Sequence, residues 1–140
     1  LNYYFPSTLN IPVRGFTLMM QDAETSVEQL KQLVKKFSEE RDWSKYHNAK
    51  DLSIGIVTEA SELLQQFRFK SQKEVESLFN SPYSKERIYE EIADIFYFLL
   101  RLSERYNIDL SSELRKKLEK NAKKYPVSKF KGSNKKYDEL

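Results

Sequence analysis

At 140 residues, with three glycines, four prolines and no cysteine, the chain is long enough for one domain with a core and too short for two. So few turn formers argue against an all-β fold, and the missing thiols exclude a disulfide scaffold, a thiolate metal site and a cysteine nucleophile. Hydrophobic residues at 39% beside charged ones at 32% make a globular composition, and a net charge of only +3 argues against nucleic-acid binding as the main role.

The first twenty residues, LNYYFPSTLNIPVRGFTLMM, lack a basic start followed by an apolar stretch, so no signal peptide is expected. Residues 1–20 are read as an extension, 21–125 as the folded domain and 126–140 as a basic tail. No apolar run approaches the roughly 18 residues that span a bilayer. No membrane partner is expected, and the absence of cysteine is compatible with a cytoplasmic location. The closing YDEL differs from the retention signal KDEL and carries no targeting weight.

Helical periodicity dominates the rest of the chain. Val27, Leu30, Val34 and Phe37 recur at helical spacing over 26–41, and Thr25 with Glu28 offers a capping box. A second helix is expected over 51–69, capped by Asp51, with Leu52, Ile56, Leu63 and Phe67 on one side. Ser71 and Glu74 mark a short third helix over 72–79, and Asn80-Ser81-Pro82 breaks the chain. A long helix is expected from about Ser84 to Tyr106, and Ser111 or Ser112 caps a last one that ends before Pro126. The fold class is therefore all-α, a helical bundle of about four main helices.

From Arg115 to Lys136 the chain carries ten basic residues and one acid, Glu119. Such a segment more often solvates itself than binds a polyanion. A basic helical module that binds nucleic acid, or a bundle that binds a protein through its aromatic surface, stands as the alternative to catalysis.

The long helix contains EEIADIFYFLLRL at 90–102. With about 100° per residue, Ile95, Phe98 and Leu102 fall within roughly 40° of Glu91, and Asp94 lies about 60° to the other side. Glu90 lands about 100° away, on a polar flank beside Arg101 and Tyr97, and reads as a solvated acid. The earlier GIVTEASELLQQF places Glu59 and Glu62 on one face, with Gly55, Ile56 and Leu63 beside them. The chain thus holds two E-x-x-acid pairs on two helices, separated by 28 residues between Glu62 and Glu91. Antiparallel packing would gather four carboxylates, which then protonate or hold a cation. Oxygen-only ligands suit a hard ion, Mg²⁺ with Mn²⁺ as a substitute. A di-iron bundle needs Glu-x-x-His pairs, and the single histidine, His47, is not in one. Taken as an isolated residue, Trp43 reads as core and His47 as a satisfied partner.

Taken together, Glu59, Glu62, Glu91 and Asp94 resemble the E-x-x-E…E-x-x-D signature of the all-α MazG-type nucleoside triphosphate pyrophosphohydrolases. Within them, RDWSKYH at 41–47, NAKKYP at 121–126 and the closing KKYDEL are similar to segments of the dCTP pyrophosphatase group. The likeness covers roughly residues 24–140. It implies Mg²⁺-dependent hydrolysis of a nucleoside triphosphate to monophosphate and pyrophosphate, for cleaning the nucleotide pool, by a homo-oligomer, a dimer or dimer of dimers.

By the resemblance, Glu59, Glu62, Glu91 and Asp94 form the catalytic metal site, and one glutamate, with Glu62 as a candidate, takes the proton of the attacking water. Trp43 and His47 match base-pocket positions, which reverses their bland reading. Asn121, Lys124 and Tyr125 are candidates for phosphate contacts, while Lys120 and Lys123 read as solvated. Relatives carry a tyrosine where this chain has Phe98, and a histidine where Val34 falls. Phe98 is therefore the residue bearing on substrate choice. The expected substrate is dCTP, with other deoxynucleotides allowed, since an apolar pocket discriminates less than a hydrogen-bonding one.

Overall fold

The computed structural model describes residues 20–138. The extension expected over residues 1–20 falls almost wholly outside the described residues, as do the last two of KKYDEL. Among the described residues the fold is all-helical: α1 (Val27–Glu39), a single 3₁₀ turn (Trp43–Tyr46), α2 (Ala49–Phe67), α3 (Gln72–Leu78), α4 (Pro82–Arg105), α5 (Leu110–Lys124) and α6 (Val127–Phe130).

Local chemistry sets the helix starts. Ser71 and Glu74 form the expected capping box for α3. For α1 the box lies one residue on from Thr25 and Glu28: Ser26 Oγ accepts from Gln29 N–H at 3.2 Å, and Gln29 Oε1 accepts from Ser26 N–H at 2.7 Å. Both pairs have the required spacing, and the extended backbone at Ser26 decides between them. α2 starts before Asp51, because Asn48 accepts from the Asp51 N–H at 3.0 Å; Asp51 sits in the first turn instead, where its charge suits the helix N-terminus. Pro82 occupies the first turn of α4, two residues ahead of Ser84, since a residue without N–H loses nothing there. Asp109, not Ser111 or Ser112, caps α5 by accepting from the Ser112 N–H at 3.0 Å.

α4 is the central helix, packed mainly on α2 and then on α1. Gly55 of α2 meets Phe98 of α4, whereas Glu62 lies near Glu91, so the two helices run antiparallel. α1 also runs antiparallel to α4. Its Lys31 Nζ donates to the Ile108 carbonyl at 2.6 Å, Lys35 pairs with Glu104 at 3.4 Å, and Ser38 meets the Tyr97 hydroxyl at 2.9 Å. The buried apolar core is Val34, Leu52, Ile88, Phe98 and Leu100.

Arg101 corrects the helical-wheel reading. Glu90 is exposed as expected, but Arg101 is only 2% exposed and Tyr97 is half-buried. The flank that holds them is covered by α1 and the 3₁₀ turn, which a single-helix projection does not contain. A second apolar face remains open: Ile54, Val57 and Leu64 of α2 and Ile92, Phe96 and Leu99 of α4 are exposed. No helix of the described residues is long and apolar enough to cross a membrane.

Candidate active site

Where α2 and α4 lie antiparallel, Glu59, Glu62 and Glu91 each offer a carboxylate oxygen, and these oxygens lie within 4.8 Å of one another. Glu59 and Glu91 are half-buried and Glu62 is exposed. Asp94 stands outside this group of three but acts on it electrostatically: its charge helps to raise both Glu59 and Glu91.

Glu59 is pushed up to about 7, by burial first and then by the charges of Asp94, Glu62 and Glu91. Burial, followed by Glu62 and Asp94, also raises Glu91. Asp94 is raised by burial and by Glu90 and Glu62. The bare site therefore resists holding its full negative charge, the condition under which a cation is favoured.

Gly55, one turn before Glu59, lets the helices approach. A Cβ there would lie 2.6 Å from the Phe98 ring. Phe98 is buried in this contact and begins a run of edge-on rings that leads out of the helix pair. Phe98 meets Tyr97 at 5.3 Å, Tyr97 meets Phe37 at 6.0 Å, and Phe37 meets Trp43 at 5.8 Å. Trp43 then lies edge-on to His47 at 6.4 Å. The rings connect the 3₁₀ turn to a position one helical turn past Asp94.

Arg101 was missed by sequence reasoning as a partner of His47. Its Nε donates to His47 Nδ1 at 3.1 Å, its second terminal nitrogen donates to Ser44 Oγ at 3.0 Å, and its first pairs with Glu104. His47 is lowered from its usual value by burial and then by the charges of Arg101 and Arg105. The available signal was a lone arginine inside the apolar run FYFLLRL, since an arginine there needs a buried partner.

The downstream candidates form another neighbourhood. Asn121 is half-buried near the end of α5 and Lys124 is exposed. Tyr125 lies edge-on to Phe130 at 5.1 Å and to Tyr137 at 5.8 Å, and Lys124 Nζ lies 4.9 Å from the Tyr137 ring. The boundary expected after Tyr125 thus passes through a ring cluster shared with the tail.

Residues 54–140 match the MazG-like family. The dCTP pyrophosphatase 1 of Bos taurus is 32% identical over 118 residues, covering 84% of this chain and 70% of that protein. That of Homo sapiens is 31% identical over 117 residues, covering 84% and 69%. A crystal structure of a pyrophosphatase from Archaeoglobus fulgidus superposes with a TM-score of 0.68 at 32% identity, covering 76% of this chain and 98% of the other. Two acid pairs on antiparallel helices, a match over more than half the sequence and a shared fold agree: the chain belongs to the MazG-like family.

Proposed function

We propose that this protein hydrolyses dCTP, and with less discrimination other deoxynucleoside triphosphates, to the monophosphate and pyrophosphate with Mg²⁺. The enzyme class is nucleoside triphosphate pyrophosphohydrolase, supported by the named pyrophosphatases among its relatives. The observation that carries the reading is the convergence of Glu59, Glu62 and Glu91 within 4.8 Å, with Asp94 adding charge.

The donor set fits a hard divalent ion, because it is all carboxylate and is overcharged without one. Glu59, Glu62 and Glu91, with Asp94 beside them, would hold it, and Mn²⁺ is the natural substitute. When bound, Mg²⁺ neutralises phosphate charge and acidifies the attacking water. Glu62, the exposed member of the three, would take that proton from the solvent side. Trp43 supplies a flat face for the base and His47 a polar edge. Phe98 has no hydroxyl with which to reject misfits, in keeping with broader substrate use. Asn121, Lys124 and Tyr125 contact phosphate in this reading. Residues 21–125 carry the catalytic site in this reading, and 126–140 form a basic tail that packs on it through Phe130 and Tyr137 against Tyr125.

The exposed apolar face of α2 and α4 supports a homo-oligomer, a dimer or dimer of dimers, because so large an uncovered stripe on two neighbouring helices favours self-association. A cytoplasmic setting suits both the substrate and the cysteine-free chain.

Pyrophosphate release from a panel of triphosphates, with and without Mg²⁺, tests the reading. Metal-dependent release that is greatest with dCTP is expected. No release from any triphosphate would refute the proposal.

A further inference from the structure

We infer that Arg101 is a positioning residue that fixes His47 as the neutral tautomer with its proton on Nε2, so that His47 presents a hydrogen-bond donor to an acceptor on the edge of the nucleobase. The inference rests on the proposed placement of His47 in the base pocket; the part played by Arg101 is additional to it.

A guanidinium has five donors and no acceptor. Arg101 Nε lies 3.1 Å from His47 Nδ1, so Nδ1 must supply the lone pair and cannot carry the proton. In a neutral imidazole the proton is then on Nε2. Protonation of both nitrogens would destroy the contact and place a cation against Arg101, and the lowered pKa of His47 agrees with that geometry.

The guanidinium has little freedom to turn away. Arg101 is 2% exposed, with Ser44 and Glu104 holding its two terminal nitrogens. Glu104 is itself paired with Lys35 at 3.4 Å. All three guanidinium nitrogens are therefore engaged, which pre-orients the donor to His47.

The other face of the imidazole is available. His47 Nε2 has no hydrogen bond among the described residues, yet no buried side-chain nitrogen or oxygen there lacks a partner. Nε2 is thus not fully buried, on a half-buried ring that lies edge-on to Trp43 at 6.4 Å. A fixed N–H donor suits a base whose edge offers a carbonyl oxygen or an unprotonated ring nitrogen, as cytosine does. A base that offers only an amino group at that edge would leave two donors opposed.

The single histidine makes the test direct. Long-range ¹H–¹⁵N spectra of the full chain with labelled histidine report the protonation of each ring nitrogen. The expected result is protonated Nε2 and bare Nδ1 near neutral pH. Protonation on Nδ1 would overturn the inference without any variant being needed. Arg101→Met combined with Glu104→Gln removes donor and counter-charge together, so that no unpaired charge is left buried. Ser44→Ala provides a milder release of the guanidinium.

Mixed tautomers in the double variant, with KM for dCTP raised roughly tenfold and kcat changed less than about threefold, are expected for the loss of one ground-state hydrogen bond. An unchanged tautomer and unchanged KM would reject the role. If the double variant does not fold, the Ser44→Ala spectrum decides it: a shift toward mixed tautomers supports the role of Arg101 and an unchanged spectrum rejects it. Absence of all triphosphate hydrolysis by the wild type would instead sink the enzymatic reading, leaving the tautomer result standing.

Discussion

Gly55 on α2 and Phe98 on α4 form one packing unit: a Cβ at residue 55 would stand 2.6 Å from two carbons of the Phe98 ring. The absence of a side chain at 55 is what permits antiparallel helices to approach one turn from Glu59. Close approach and the carboxylate cluster are therefore linked through one position.

Gly55→Ala is expected to destabilise the fold. Overpacking costs about 1–3 kcal/mol, against a gain of roughly 1 kcal/mol from replacing a mid-helix glycine. Urea unfolding should show a lower midpoint, and Phe98→Leu in the same chain should recover part of the loss. A midpoint that rises in Gly55→Ala alone would show that the ring yields freely.

The acid cluster sets a pH dependence for the metal-free protein. Glu59 has an ordinary value of 4.5 and is pushed up to about 7 in the fold, so folding favours its protonated form. The folded chain holds more protons than the unfolded one between those values. Stability from this group therefore falls as pH rises from 4.5 to 7 and levels off above. Thermal melts without metal should show this decline, and Glu59→Gln should flatten it. Mg²⁺ should raise Tm more at about pH 8 than at about pH 6, because binding must displace protons at the lower pH.

Glu62→Gln separates catalysis from folding. Removing one exposed carboxylate relieves repulsion, so the metal-free variant should be at least as stable as the parent, and Glu59 should titrate lower. Pyrophosphate release should drop by about 100-fold or more if the group takes the water's proton. Full turnover in this variant would remove Glu62 from the chemistry.

The contact between Ser38 and Tyr97 can be isolated by a double-mutant cycle. Ser38 Oγ donates its one proton to the Val34 carbonyl at 2.8 Å, so the Tyr97 hydroxyl, 2.9 Å away, must donate to Ser38. Ser38 is fully buried and burial raises Tyr97, which keeps the phenol protonated. Tyr97→Phe should lose about 1 kcal/mol, with a coupling to Ser38→Ala of similar size. A zero coupling energy in denaturant melts would show that the bond adds nothing to the α1–α4 contact.

Much of the site is written in local order. The capping chemistry of Ser71 and Glu74, the breaker before Pro82 and the E-x-x-acid spacings depend on residues three or four apart, whose relative positions the helix itself dictates. The cap of α1 shifts by one residue because Thr25–Glu28 and Ser26–Gln29 satisfy the same spacing, and only backbone conformation chooses between them. Asp51 gives way as a cap to Asn48, which lies three residues earlier and has the same capping chemistry.

Sequence alone thus determined that the chain is helical and that each of two helices carries its acids on one face. It could not determine which flank of α4 is dry. Arg101 shares its polar flank with exposed Glu90, yet it is buried, because the 3₁₀ turn brings Ser44 and His47 against it from 57 and 54 residues away. Nor could it decide that Glu59, Glu62 and Glu91 converge more tightly than Asp94. Those outcomes depend on how close two helices approach and at what level they cross. Packing at Gly55 and Phe98 permits the close approach, and no single-helix periodicity encodes either outcome.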